Sequence, residues 1–140
     1  MKHHLQEISF DTKGAVEFID LTERVRNIFA ESGVRDGQVS VFTRHTTTAI
    51  KVNERCERLQ HDMTSFLERV VPRAPYRHDE ATVDGRANAR GHIISLLLGA
   101  SETVPAAEGR LLLGDWQSIF FVELDGPRRR RSVFVTVTGE

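Results

Sequence analysis

With one cysteine, one tryptophan, one tyrosine and four prolines in 140 residues, the chain lacks the raw material for several architectures. Cys56 cannot close an internal disulfide, and Asn53-Glu54-Arg55-Cys56-Glu57-Arg58 holds no second cysteine for a metal or redox pair. A disulfide-stapled secreted scaffold is excluded, and a reducing, cytoplasmic setting is expected. No apolar run approaches the ~20 residues that span a bilayer, and Met1 to Glu7 has no signal-peptide core, so no membrane association is expected. Neither sign of charge is in surplus, since 19 Lys and Arg face 20 Asp and Glu. No long-range field draws a polyanion, and nucleic acid is not an expected partner. Repeats, low-complexity tracts and linkers are also missing. What remains is a chain of ordinary single-domain size, able to bury one core unaided, and residues 1–140 are read as a single domain.

Hydrophobic spacing sketches the elements. Leu21, Val25, Ile28 and Phe29 recur at helical intervals over residues 20–32, with Asp20 and Glu23 as a possible capping box and Gly33 as the stop. Residues 39–44 and 46–52 are rich in β-branched side chains and read as two strands flanking His45. Asn53 can cap a second helix whose inner face carries Leu59, Met63, Phe66, Leu67 and Val70, ending before Pro72. Residues 72–85 show no period, as binding loops often do, and His78 lies among them. A third helix over about residues 86–98 buries Ile93, Ile94, Leu97 and Leu98 and stops at Gly99. Strands are read at 110–113, 118–124 and 132–138, joined by Gly114-Asp115 and Asp125-Gly126-Pro127 turns. The strand 118–124 is apolar on both faces, as in strands that lie between two layers. The fold class that follows is α+β but β-dominated: a two-sheet, jelly-roll-like β-sandwich with about three flanking helices.

Polar residues gather where such a frame leaves junctions. Arg44-His45-Thr46-Thr47-Thr48 offers a guanidinium, an imidazole and hydroxyls at a strand junction, a combination able to hold phosphate oxygens; β-branched packing in a strand is the plainer alternative. Asp84, Asn88 and His92 recur at intervals of four, which puts them on one face if the third helix starts early enough. Gly91 either weakens that helix or admits a close backbone neighbour. His78, flanked by Arg77 and Asp79-Glu80, suits acid–base work, ligand duty or a solvated loop. No histidine pair has zinc-motif spacing, so a metal site needs the fold to bring His45, His78 and His92 together. His3, His4 and His61 are read as surface residues. Arg128 to Arg131 either guards a strand start or meets an anion or a neighbouring subunit, and Trp116-Gln117 offers an indole and an amide to a ring, or else packs in the core.

Taken in order, Asp20-Leu21-Thr22, Gly37, His45-Thr46-Thr47-Thr48-Ala49 with Asn53-Glu54, Tyr76-Arg77-His78, Asn88 with Gly91-His92, and Gly114-Asp115-Trp116-Gln117 resemble the YjbQ family. The tail from Glu123-Leu124-Asp125-Gly126-Pro127 through Arg131, with Val135 to Glu140, completes a likeness that covers nearly the whole chain. The resemblance implies a β-sandwich subunit in a homotrimer, and a weak or secondary thiamine-phosphate synthase activity. That reaction joins a pyrimidine methyl diphosphate to a thiazole phosphate and releases pyrophosphate. Physically such chemistry needs a divalent ion, Mg or Zn, which His45, His78 and His92 could hold or orient, with Glu54, nearby in sequence, as oxygen ligand or base. Arg44, Thr46, Thr47 and Asn88 are the implied substrate contacts, Trp116 and Gln117 read the ring, and Arg128 and Arg130 form an alternative phosphate grip. Two other functions fit the same residues: a metal-dependent hydrolase of a small phosphorylated metabolite, and a non-catalytic metabolite- or metal-binding module.

Overall fold

A computed structural model describes residues 1–140. Its strands are β1 (Lys2–Phe10), β2 (Glu17–Asp20), β3 (Gly37–Phe42), β4 (Thr48–Glu54), β5 (Ser101–Ala107), β6 (Arg110–Leu111), β7 (Gln117–Glu123) and β8 (Arg131–Gly139). Three helices are interspersed, α1 (Thr22–Ser32), α2 (Glu57–Val70) and α3 (Ala89–Leu98), with a short 3-10 helix over Arg77–Glu80. The strands form two antiparallel sheets, one in the order β1-β8-β3-β5-β6 and one in the order β2-β7-β4. The β-dominated two-sheet class with three helices is what the patterning predicts. No helix is long and apolar enough to cross a membrane.

Alternation along the strands decides what each face touches. Ile50, Ile119 and Phe121 of the three-stranded sheet meet Val39, Val41, Val133, Val135 and Val137 of the five-stranded sheet, and α1 closes the end of this core with Leu21, Val25, Ile28 and Phe29. The opposite parity, Ala49, Phe120 and Val122, packs outward under Leu67 of α2 and Ile94 of α3. Strand β7 is therefore buried on both faces by its own chain, without cover from a second subunit. Each fully buried side chain of this kind contributes roughly 1.5–3 kcal/mol.

Several expected details differ. The strands β1, β2 and β5 carry no signal that the spacing picks up, because β1 is an edge strand exposed at most positions. Asn53 belongs to β4 and α2 begins after Cys56, since Asn53 and Glu54 are needed in register against Ser118 and Gln117. The Asp20–Glu23 capping box does not form: Asp20 Oδ1 accepts from the N–H and hydroxyl of Thr22 instead. Gly33 ends α1 in the left-handed conformation, as predicted, at φ 73°. Leu97 is exposed, not buried as its spacing implies, whereas Ile94 is buried as expected.

Candidate functional site

Residues 43–47 connect β3 to β4 where both sheets end. The hydroxyls of Thr43 and Thr48 share a 2.8 Å hydrogen bond, and Thr48 Oγ1 donates to the His45 carbonyl at 3.1 Å, so the link is pinned by its own side chains. On this link Arg44 lies over the ring of Phe134, with its guanidinium carbon 4.7 Å from the centroid. His45 Nε2 accepts the backbone N–H of Ser132 at 3.0 Å. Opposite stands the start of α3, brought close by Gly91: a Cβ there would sit 2.8 Å from the carbonyl oxygen of Leu124 and 3.5 Å from Cβ of Thr47. Of the two readings of that glycine, the close backbone neighbour is the one observed. His92 follows, and its ring lies 4.8 Å from that of His78 on the 3-10 helix, tilted by 58°.

These elements enclose a cleft of about 620 Å³. His45, His78 and His92 all line it, as do the expected contacts Arg44, Thr46, Thr47, Asn88 and Arg128. Arg77 and Arg131 bring the arginines to four, against one lining carboxylate, Asp84, and only Ala81 and Val83 are apolar. Asp84 reaches the cleft by a different route from the expected helical ladder: α3 starts at Ala89, Asn88 is its cap position, and Asp84 sits in the preceding bend accepting from the N–H of Arg86.

Four expected site residues lie elsewhere. Glu54 pairs with Gln117 at the far end of β4, six residues along from Thr48, which is about 20 Å at the rise of a strand. Trp116, directly before β7, is 76% exposed at that same end. Gln117 turns its Oε1 to the Gly114 N–H and closes the turn. Arg130 takes a left-handed φ of 58° with its N–H on Asp11, outside the cleft. Base and ring-reading roles assigned to Glu54, Trp116 and Gln117 are thus separated from the histidines by the length of a sheet.

Beneath the cleft lie Arg131, the last residue of the basic run, and two carboxylates, Glu123 and Asp125, to which the sequence pattern assigns no role in the site. Arg131 is 4% exposed and grips Glu123, itself wholly buried, through Nε at 2.8 Å and Nη2 at 2.7 Å. Arg131 Nη2 also donates to Thr47 Oγ1 at 2.9 Å, and Thr12 donates to Glu123 Oε1 at 2.7 Å. Burial raises the Glu123 carboxyl, but the bonds from Arg131 and Thr12 outweigh it and hold the group below the ordinary carboxylate range. Beside this pair, Asp125 accepts from Arg86, Asn88 and Arg128. Those bonds overcome its own burial and hold it down to about 2. A signal existed for the first pair: Arg131 has the inward parity of Val133, Val135 and Val137, and Glu123 that of Ile119 and Phe121. Two opposite charges on inward parities at one sheet end must meet.

His45 is held below the usual imidazole value, first by burial and then by Arg131, with Arg44 and Arg128 adding to it and Glu123 opposing. Such a surrounding disfavours a cation. With His45 Nε2 already occupied by Ser132 and no three His, Cys, Asp or Glu side chains converging as ligands, the trio of histidines does not fit a resident divalent ion as it stands. The arrangement suits anions: guanidiniums and imidazole N–H groups supply donors, and His78 and His92 face each other in the cleft as candidate proton-transfer groups.

Fold and cleft together define a small two-sheet β-sandwich protein with a cationic, histidine-lined site at one end of its sheets. The chain belongs to the UPF0047 protein YjbQ-like family, whose model matches residues 6–140. It is 46% identical to a UPF0047 protein of Methanothermobacter thermautotrophicus, covering 100% of this chain and 95% of that one. It is 34% identical to the UPF0047 protein YugU of Bacillus subtilis, covering 90% and 93%. Among solved structures, a YbjQ-like protein of unknown function from Sulfolobus solfataricus superposes with a TM-score of 0.93 at 35% identity, covering 99% of both chains. A YjbQ/UPF0047 protein from Clostridium acetobutylicum gives 0.87 at 38% identity, covering 95% and 99%.

Proposed function

We propose that the cleft holds the phosphate or diphosphate of a small metabolite and that His78 and His92 carry proton transfer beside it. The observation behind this reading is the lining itself: four guanidiniums and three imidazoles around about 620 Å³ with a single carboxylate among them. Arg44 and Arg77 are exposed at the rim and paired with no acid, which leaves their donors for ligand oxygens. In the finer form that the family resemblance implies, the bound group is the diphosphate of a pyrimidine methyl diphosphate, displaced by a thiazole phosphate as in a thiamine-phosphate synthase, and the subunits assemble as a homotrimer.

A second reading has its own support. The near absence of apolar lining, with Trp116 at the far end of the sheet, offers no platform for a pyrimidine and favours hydrolysis of a small polar phosphoester. Product analysis after incubation with the two thiamine precursors, against incubation with simple phosphoesters, separates transfer from hydrolysis, and binding without turnover would mark a metabolite-binding module. Calorimetric titration with pyrophosphate, with and without magnesium, tests the shared premise. Arg44→Ala should weaken binding about tenfold or more, the loss of one charge-assisted bond, and Arg130→Ala should leave it unchanged. A wild-type protein indifferent to pyrophosphate in both titrations overturns the anion reading.

A further inference from the structure

His45 is fixed from one side and free on the other. Its Nε2 receives the backbone N–H of Ser132 at 3.0 Å. A backbone N–H only donates, so Nε2 must carry a lone pair and the proton of the neutral ring must sit on Nδ1. Nδ1 takes no hydrogen bond from the chain, and it is not among the buried atoms left without a partner, which are His4 Nε2 and Asn88 Oδ1. It is therefore accessible to solvent, and the residue lines the cleft.

Moving the proton works against the Ser132 N–H, and adding one works against the surrounding arginines. A proton on Nε2 would face the Ser132 N–H. A charged ring would stand beside Arg44 on its own link and Arg128 and Arg131 from the β7–β8 side, with Glu123 of β7 opposing them. Across the cleft stand Arg77, His78 and His92, and the carboxylate of Asp84. Each alternative state costs the partly buried Ser132 hydrogen bond or adds a like charge.

We infer that His45 is a locked, uncharged hydrogen-bond donor, whose Nδ1–H points at an oxygen of the phosphate-class ligand while Nε2 stays committed to Ser132. It acts neither as a base nor as a metal ligand through Nε2. This rests on the anion reading of the cleft and adds the identity of one of its donors. A neutral donor to a charged oxygen costs no deprotonation, and the lock means that the ring does not reorient when the ligand arrives.

The ring state is read directly by nitrogen NMR of the full chain labelled in histidine, assigned with a His45→Gln control. A proton on Nδ1 is expected; a proton on Nε2, or a doubly protonated ring at neutral pH, overturns the inference. Pyrophosphate titration then tests the use of that proton. His45→Asn places an amide near Nδ1 and should bind within about threefold of wild type. His45→Gln places an amide oxygen near Nε2, which keeps the Ser132 bond and the local fold but removes the Nδ1 donor, and should bind about tenfold or more weakly, as should His45→Ala. Wild-type affinity in the Gln or Ala variant sinks this inference and leaves the anion reading standing. Wild-type protein that does not bind pyrophosphate sinks both.

Discussion

Asp125→Asn removes one charge from the hub that ties three segments together behind the cleft. The carboxylate accepts from Arg86 Nε at 3.0 Å and Nη2 at 3.2 Å, from Asn88 Nδ2 at 2.7 Å and from Arg128 Nη2 at 2.7 Å, with its side chain 16% exposed. Its burial raises the carboxyl, yet the bonds from Arg86, Asn88 and Arg128 bring it from the ordinary 3.8 to about 2. At about 1.4 kcal/mol per tenfold change in proton affinity, the ionised group contributes about 2 kcal/mol at neutral pH. Because the folded value lies below the unfolded one, that contribution is complete above the unfolded value and is lost as pH falls from about 4 towards about 2. Asparagine keeps the shape but turns an NH2 group towards donors and leaves two guanidiniums without their counter-charge, so its cost at neutral pH should be about 2–4 kcal/mol. Urea unfolding of both proteins, repeated in steps down to about pH 2.5, gives the comparison. The difference should be large at neutral pH and narrow through the acid window, while other carboxylates, Glu123 included, largely cancel between the two proteins. A difference under about 0.5 kcal/mol at neutral pH, or one that stays constant to the acid end, would refute the reasoning.

Gly91→Ala should destabilise by about 1–3 kcal/mol in chemical denaturation despite alanine's better helix propensity, because the new methyl meets the Leu124 carbonyl; a rise in melting temperature would show that α3 can retreat at no cost. Glu123→Leu and Arg131→Met should each cost about 3–5 kcal/mol by leaving a buried partner unpaired, whereas the variant carrying both should cost far less than their sum; additive losses in that double-mutant cycle would deny the coupling. Trp116→Ala should leave pyrophosphate affinity within about twofold of wild type, and a larger loss would place the indole in the binding site.

Where a residue's role follows from parity or period, the sequence was legible. The core strands β7 and β8, α1 with its Gly33 stop, and the two-layer arrangement follow from which side chains repeat, since a strand apolar on both faces has to lie between layers. The histidines were legible in a weaker sense, as polar residues at a strand junction, in an aperiodic stretch and on a helix, and the fold brings His45, His78 and His92 to one cleft. Strand β1 escaped because its partner β8 supplies the pairing and its own side chains carry little apolar alternation. Glu54, Trp116 and Gln117 were misplaced for a different reason. Glu54 is near His45 in sequence, but along β4 every step away from Thr48 carries a residue about 3.3 Å further from the cleft, and the register of β7 sets Gln117, with Trp116 next to it, opposite Glu54.

A net charge of −1 and a cleft lined by four arginines are compatible because the carboxylates are spent in place. Glu123 neutralises Arg131, and Asp125 is shared by Arg86 and Arg128, so the inner guanidiniums orient donors without adding much free charge. Arg44 and Arg77 at the rim keep theirs. On the proposed anion reading the site is graded: rim charges would attract an anion over the short range that salt allows, about 8–10 Å, and the paired, buried groups would set where its oxygens come to rest. Arg131 cannot be exchanged for lysine on this view, because one nitrogen cannot serve both oxygens of Glu123 and the hydroxyl of Thr47 in the fixed fork that the guanidinium provides.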